Sequence, residues 1–175
     1  MPPVIETSRL LIRPFTLSDI DAAYAVLEGH PDVWKFDPGY QRTHEQRAAL
    51  INKYATSNEP DGCGTVAATL KASGALIGYV GLQLYVLPRE PLATPEVELY
   101  YKLGRAYWGQ GYAAEACRAM IRFAFDEMRL ARIVTITAAE NTSSIKLLKA
   151  LGMQIAPAPP SWADMLMGTL QNDRC

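Results

Sequence analysis

Residues 107–115 read Tyr107-Trp108-Gly109-Gln110-Gly111-Tyr112-Ala113-Ala114-Glu115, and this segment says most about ligand binding. It lies between a predicted strand at 96–103 and a predicted helix at 111–128. Two glycines and two alanines keep large side chains away from the first helical turn, so the backbone can approach a ligand closely. The N–H groups of a helix start and the positive end of its dipole favour an anion. Because the dipole alone contributes only about 0.3–1 kcal/mol, holding a diphosphate would require several converging N–H bonds.

Two other interpretations of this segment are open. It can be a close-packed loop without a ligand. It can also belong to a dinucleotide-binding oxidoreductase, since Gly109-x-Gly111-x-x-Ala114 matches the G-x-G-x-x-G/A fingerprint and Glu140 would then bind the ribose. Only the 35 residues 141–175 follow Glu140, which is too little chain for the remaining parallel units of such a fold.

The rest of the chain predicts helices and strands on both sides of this segment. Thr43 and Gln46 fit a capping box, Ser18 can cap another helix, and Gly152 can end a third. The predicted elements are a strand at 9–13, helices at 19–27 and 44–56, strands at 65–71, 75–85 and 96–103, a helix at 111–128, a strand at 133–137, a helix at 143–151 and a strand at 164–170. This order predicts an α+β, or mixed α/β, domain around one sheet.

The composition excludes several classes of protein. The 175 residues include 17 Lys+Arg and 18 Asp+Glu, with 49% hydrophobic residues. This length suits one domain. The near-neutral charge argues against a nucleic-acid partner, and no apolar run is long enough to span a membrane. The N-terminus lacks the features of a secretory signal. Three scattered cysteines and two histidines predict neither a disulfide framework nor a metal site, and we expect a cytoplasmic protein.

A second informative segment covers residues 139–152. Asn141 and Ser143 are ordinary N-cap residues, so helix capping explains them. Capping alone does not require a further hydroxyl at Ser144, which leaves that side chain available for another role.

Together these segments resemble the GNAT N-acyltransferase superfamily. The resemblance rests on Trp108-Gly109-Gln110-Gly111-Tyr112-Ala113-Ala114-Glu115-Ala116, on Glu140-Asn141-x-x-Ser144-x-x-Leu147-x-x-x-Leu151-Gly152, on Glu6-Thr7-Ser8-Arg9-Leu10-Leu11-Ile12-Arg13-Pro14 and on Glu98-Leu99-Tyr100-Tyr101. Within the superfamily the chain looks most like the branch of ribosomal-protein N-terminal-alanine acetyltransferases. The resemblance implies a single acyl-CoA N-acyltransferase domain over residues 1–175, with a mixed, mostly antiparallel sheet and about four helices. It implies acetyl-CoA as co-substrate and a primary amine, either a protein N-terminus or a small molecule, as acceptor.

The resemblance also implies site residues. The strand ending at Tyr101 and Leu103 would pair with the pantetheine arm, Asn141 would contact pantetheine or a water, and Ser144 would contact the cofactor or protonate the departing thiolate. Tyr100 stands where related sequences often have glycine, which would narrow the acceptor site. The residues expected at the pyrophosphate are Trp108, Gly109, Gln110, Gly111, Tyr112 and Ala113.

The amine must lose a proton before it attacks the thioester, and a carboxylate can accept that proton. We take Glu98, on the predicted active-site strand, as the base, and Glu96, on the same face, as the reserve candidate. A solvated Glu98 without a catalytic role is the alternative, as is a non-catalytic CoA-binding domain of the same fold. At the C-terminus, a short last strand would leave an open sheet edge and favour a homodimer.

Overall fold

The computed structural model describes residues 3–56, 62–87, 94–162 and 164–173. Within these ranges the chain forms one eight-stranded sheet and four α-helices. The elements are β1 (Ile5–Glu6), β2 (Leu10–Pro14), α1 (Ile20–Glu28), α2 (His44–Thr56), β3 (Gly64–Leu70), β4 (Leu76–Leu87), β5 (Thr94–Leu103), α3 (Tyr112–Asp126), β6 (Arg132–Ala138), α4 (Thr142–Ala150), β7 (Gln154–Pro157) and β8 (Met165–Gln171). The α+β prediction is confirmed, although β1 and β7 were not predicted. No helix among the described residues is long and apolar enough to cross a bilayer.

The strands lie in the order β1-β2-β3-β4-β5-β6-β8-β7. Every neighbouring pair in this described sheet is antiparallel except β5 and β6, which are parallel. A dinucleotide-binding fold requires successive parallel units, so the oxidoreductase alternative is wrong. Within the described residues, β5 and β6 pair only at Glu98 and Val134. The two strands therefore diverge beyond Glu98, which leaves the C-terminal half of β5 without a strand partner on that side.

Two hydrophobic clusters cover the two faces of the sheet. On one face, the apolar side of α3 is buried against β2 to β6, and Leu148 of α4 joins the same cluster. On the other face, α1 and α2 pack through Ala23, Leu27 and Ile51 around the buried Trp34. Burying each large aliphatic side chain contributes about 1.5–3 kcal/mol. These two layers fix β5 in the middle of the molecule, with one face toward each pair of helices.

The helix starts test the capping predictions. The capping box before α2 is confirmed, since Thr43 N–H donates to Gln46 Oε1 at 3.0 Å and Gln46 N–H donates to Thr43 Oγ1 at 3.3 Å. The Ser18 cap is wrong. A 3-10 turn at Leu17–Asp19 precedes α1, and its N-cap is Thr16. The Asp19 carboxylate organises this turn, because it accepts hydrogen bonds from Thr16 N–H and from the Arg13 guanidinium.

The C-terminal region differs from its prediction. Strand β8 lies between β6 and β7 and pairs with both, so the last strand does not leave an open edge. The four-residue β7 is the edge strand instead, and its Pro157 is tolerated there because an edge position needs no second N–H donor. Gly152 (φ +88) ends α4 as predicted, with Met153 N–H donating to Leu148 O at 3.1 Å in a Schellman arrangement.

Candidate active site

The glycine-rich segment forms a turn that offers its backbone. Gly111 is the N-cap of α3 with φ +80, and Gly109 has φ +73, both left-handed conformations that favour glycine. Among the described residues, no hydrogen-bond partner is found for the N–H groups of residues 109–114. The six residues predicted to contact pyrophosphate lie on this one turn: Trp108, Gly109, Gln110, Gly111, Tyr112 and Ala113.

The larger side chains of this turn bind back to the protein. The Trp108 indole N–H donates to the carbonyl of Leu103 at 2.7 Å. The Gln110 amide donates to the carbonyl of Ala106 at 2.8 Å. Since these side chains are engaged locally, the turn presents peptide groups rather than side chains to a ligand. Leu103 lies on the strand predicted to pair with pantetheine, and its carbonyl already accepts this hydrogen bond from Trp108.

An N-terminal turn braces the glycine-rich segment, and sequence reasoning missed this contact. The Glu115 carboxylate accepts hydrogen bonds from Thr7 Oγ1 (2.6 Å), Ser8 Oγ (2.9 Å), Arg9 N–H (2.8 Å) and Arg9 Nε (2.7 Å). Burial alone would raise the pKa of Glu115, but these hydrogen bonds lower it to about 2. Both partners occur in the quoted motifs, yet they lie 106 residues apart, and no local pattern links them.

Tyr101 and Ser144 meet on the α3 and α4 side of β5. The Tyr101 hydroxyl and Ser144 Oγ are 2.9 Å apart, and burial raises the pKa of the Tyr101 phenol. Asn141 is the N-cap of α4, and its Oδ1 accepts from Ser144 N–H at 3.1 Å. The structure thus brings together three predicted site residues where β5 and β6 diverge. Tyr101 was expected to contribute its backbone, whereas its side chain joins a hydroxyl pair.

Glu98 lies on the opposite face of β5, at the point where β5 and β6 begin to diverge. The residue is only 8% exposed. Its carboxylate accepts hydrogen bonds from Gln83 Nε2 at 2.6 Å and from the Ile136 N–H. Burial raises the pKa of Glu98, the two hydrogen bonds oppose that rise, and the nearby negative charge of Asp37 adds to it. A carboxylate with a raised pKa accepts a proton more readily than an exposed one.

The reserve candidate, Glu96, has a different environment. It is 5% exposed, and the Arg132 guanidinium donates to both of its carboxylate oxygens. The charge-assisted pair occupies the oxygens that a base would use. The Glu98 carboxylate, in contrast, accepts hydrogen bonds from the neutral donors Gln83 and Ile136.

The Tyr100 side chain lies on the same face of the sheet as Glu98 and extends across the neighbouring strand β4. Its hydroxyl is 2.6 Å from Thr65 Oγ1 on β3, and its ring contacts Tyr79 edge-on with centroids 6.1 Å apart. A Cβ on Gly81, between them on β4, would come within 2.6 Å of the Tyr100 hydroxyl oxygen. The Tyr100 ring therefore fits on this face, next to Glu98, only because residue 81 has no side chain.

The segment between α1 and α2 closes the same face. Trp34 is buried, and its indole N–H donates to Leu27 O at 2.8 Å. Lys102 Nζ lies 4.4 Å from the Trp34 ring centroid and forms an ion pair with Asp37. Trp34 is a core residue here, whereas Tyr40 is 64% exposed.

In the described part of the chain no cluster of three potential metal ligands is present.

Comparison with known proteins identifies relatives of the whole arrangement. The model of the acetyltransferase (GNAT) domain family matches residues 9–154. The uncharacterized N-acetyltransferase YnaD of Bacillus subtilis (strain 168) is 31% identical over 150 residues, which cover 86% of this chain and 82% of that protein. A GNAT-family acetyltransferase structure from Bacillus anthracis is 26% identical with a TM-score of 0.79, covering 97% of this chain and 98% of the other.

A more distant structure shares the fold. The ribosomal-protein-S5-alanine acetyltransferase from Vibrio fischeri has a TM-score of 0.74 at 19% identity, covering 98% of this chain and 97% of the other. At that identity the likeness concerns the fold alone.

Proposed function

Because the chain belongs to the GNAT acetyltransferase family and is an acyltransferase, we propose that it transfers an acetyl group from acetyl-CoA to a primary amine by direct attack in a ternary complex. The observation that carries this proposal is the divergence of β5 and β6 at Glu98. It leaves a gap in the sheet with a buried carboxylate on one face and a hydroxyl pair on the other. A donor thioester and an amine can meet there from opposite sides.

The residues present fit the chemistry of the donor. Residues 109–114 offer N–H groups, which suit an anionic diphosphate. The part of β5 beyond Glu98 that has no strand partner toward β6 suits the amide groups of a pantetheine arm, which can pair with it as an added strand does. We place Tyr101, Leu103 and Asn141 along this path. Acetyl-CoA supplies the thioester, the activated carbonyl that the amine attacks.

Glu98 and the hydroxyl pair then divide the proton transfers. The amine nitrogen bonds to the carbonyl carbon and the carbon–sulfur bond breaks. Glu98 accepts the proton that the amine loses, directly or through water. Ser144, hydrogen-bonded to Tyr101, donates a proton to the departing thiolate, and Tyr101 can restore it. A raised pKa keeps the Tyr101 phenol protonated at neutral pH, as a proton donor must be.

We propose a protein N-terminus or a small-molecule amine as the acceptor, bound on the Glu98 face. The support is that Tyr100 and Asp37 lie on the same side of the sheet as Glu98. We further propose that residues 1–175 form one acyl-CoA N-acyltransferase domain acting in the cytoplasm, without a nucleic-acid or membrane partner. Cys117 is a buried free thiol, which fits a reducing compartment.

We also propose a homodimer. The open edge expected at the last strand is not its basis, because β8 is internal to the sheet. The edge strand β7 is the segment that a second copy would contact. A monomeric mass by light scattering at assay concentration would contradict it.

Thiol release from acetyl-CoA, measured with a panel of amines and N-terminal peptides, tests the proposed reaction. Acetyl-CoA at about 100 times its dissociation constant should also stabilise the protein by about 2.7 kcal/mol. Binding without thiol release for any amine would indicate a non-catalytic CoA-binding domain. Stabilisation by NADH and not by acetyl-CoA would refute the proposal.

A further inference from the structure

The turn that bears the donor-binding N–H groups is contacted from the N-terminal segment by the guanidinium of Arg9. We propose that Arg9 is a positioning residue for the diphosphate of the donor: its guanidinium fixes the direction in which the Gly111 N–H points. The inference rests on the proposed function, since it concerns the same donor site. Nothing in the glycine-rich segment itself predicts it.

The guanidinium contacts this segment in three ways. Arg9 Nε donates to Glu115 Oε2 at 2.7 Å, and Nη1 donates to the carbonyl of Gln110 at 2.9 Å. The Arg9 Cζ atom lies 4.4 Å from the centroid of the Tyr112 ring. One planar group is thereby fixed to three successive parts of the turn and of the first turn of α3.

The bond to the Gln110 carbonyl determines the orientation of a peptide group. A trans peptide is planar, and its C=O and N–H point in opposite directions. Because the Gln110 carbonyl points at Arg9, the N–H of Gly111 points away from Arg9, toward the open side of the turn. Gly111 is free to adopt either sign of φ, so without this bond the peptide between Gln110 and Gly111 would have little to fix it.

The ion pair also removes an electrostatic obstacle. Glu115 lies in the first turn of α3, where its negative charge would repel a diphosphate bound at the same helix start. Arg9 balances that charge, while the Thr7 and Ser8 hydroxyls donate to Glu115 Oε1. The Arg9 side chain is 46% exposed, so its positive charge also faces the solvent beside the turn.

Two acyl donors, acetyl-CoA and S-acetylpantetheine, distinguish a positioning role of Arg9 from a merely structural one. S-acetylpantetheine carries the same thioester as acetyl-CoA but no phosphate. For Arg9→Gln, we expect the KM for acetyl-CoA to rise about tenfold or more, the effect of losing one interaction with a charged group, with kcat at saturation nearly unchanged. The kcat/KM for S-acetylpantetheine and the KM for the amine should not change. Equal losses with both donors, or an unchanged KM for acetyl-CoA, would overturn the proposal.

Two further variants sharpen the result. Arg9→Lys keeps the charge but lacks the planar fork that binds Glu115 and the Gln110 carbonyl together. It should therefore resemble Arg9→Gln, and full restoration by lysine would contradict an orienting role. Lys71→Gln is the matched control, because it removes a surface ion pair with Glu6 in the same N-terminal region. The kinetic parameters for both acyl donors should not change in this variant.

Calorimetry separates this inference from the reaction itself. CoA and pantetheine are titrated into the wild-type protein and into Arg9→Gln, with thermal unfolding as the check on folding. Selective weakening of CoA binding in the variant supports the role of Arg9 even if no amine is acetylated. If no amine is acetylated but CoA binds, the proposed reaction fails and the positioning role is still decided.

Discussion

The two sides of the gap between β5 and β6 use different parts of the chain. On the proposed donor side, residues 109–114 present N–H groups, and the larger side chains are bound back to the protein. On the proposed acceptor side, the groups presented are side chains, namely Glu98, Tyr100 and Asp37. A backbone site depends on where glycine is placed, which is a local property of the sequence. A side-chain site depends on which distant residues meet, and its properties change with single substitutions.

Removing the Glu98 carboxylate is the strongest way to test the acceptor side. Glu98→Gln keeps the shape and the contact with Gln83 but cannot accept a proton. We expect kcat to fall by about 10²–10⁴-fold, the usual contribution of a general base, with the KM for acetyl-CoA unchanged. Steady-state thiol release measures both parameters. A Glu98→Gln enzyme that turns over at the full rate would remove Glu98 from the mechanism.

The matched control is Glu96→Gln, two residues earlier on the same face of β5. Because Glu96 is bound by Arg132, this variant should lower the free energy of unfolding and leave kcat nearly unchanged. A large loss of turnover in Glu96→Gln alone would indicate that Glu96, and not Glu98, is the base.

The donor side is tested by adding one methyl group to its backbone. Gly111→Ala places a Cβ at a residue with φ +80, 3.3 Å from Arg9 Nη2. A left-handed non-glycine residue costs about 1–2 kcal/mol, so we expect a KM for acetyl-CoA about 5–30-fold higher if the turn relaxes out of its conformation. The kcat at saturation should stay close to that of the wild type.

Gly74→Ala provides the control for backbone strain. Gly74 has φ +71 and no atom within 4 Å of its added Cβ, in the hairpin between β3 and β4. It should lower stability comparably and leave the KM for acetyl-CoA unchanged. If both variants raise that KM equally, the effect reflects general destabilisation rather than the donor site.

The shape of the acceptor side is tested at Tyr100. Tyr100→Ala opens the space above Gly81, so we expect kcat/KM for branched or bulky amines to rise about 3–10-fold relative to slender ones, within the range of small changes in pocket volume. Tyr100→Phe keeps the ring but removes the hydroxyl that contacts Thr65, and it should keep the wild-type preference. An amine profile that is the same in all three proteins would show that Tyr100 does not line the acceptor site.

The same contrast explains what could be predicted from the sequence. The turn proposed to bind the donor could be predicted because Gly109, Gly111 and the start of α3 are adjacent in the chain, and the structure places them on one turn. The Arg9–Glu115 brace was missed because it joins the residue before β2 to the first turn of α3, two places that only the fold brings together. The different environments of Glu96 and Glu98 also depend on distant residues, Arg132 for one and Gln83 for the other. The strand β7 was missed because Pro157 lies in it, and proline is compatible with a strand only at an edge.

The smallest expected effect is also the most specific, since it concerns only the proton affinity of Glu98. The base must be deprotonated to act, so the acidic limb of the profile of kcat/KM against pH follows its pKa. Gln83→Leu removes a donor that stabilises the charged carboxylate, which should raise the pKa of Glu98 and move this limb to higher pH. Asp37→Asn removes a negative charge that disfavours the carboxylate, which should lower that pKa and move the limb to lower pH. Shifts of opposite sign are hard to obtain from general destabilisation, because loss of stability would act in the same direction in both variants. A limb that moves the same way in both would mean that the titrating group is not Glu98.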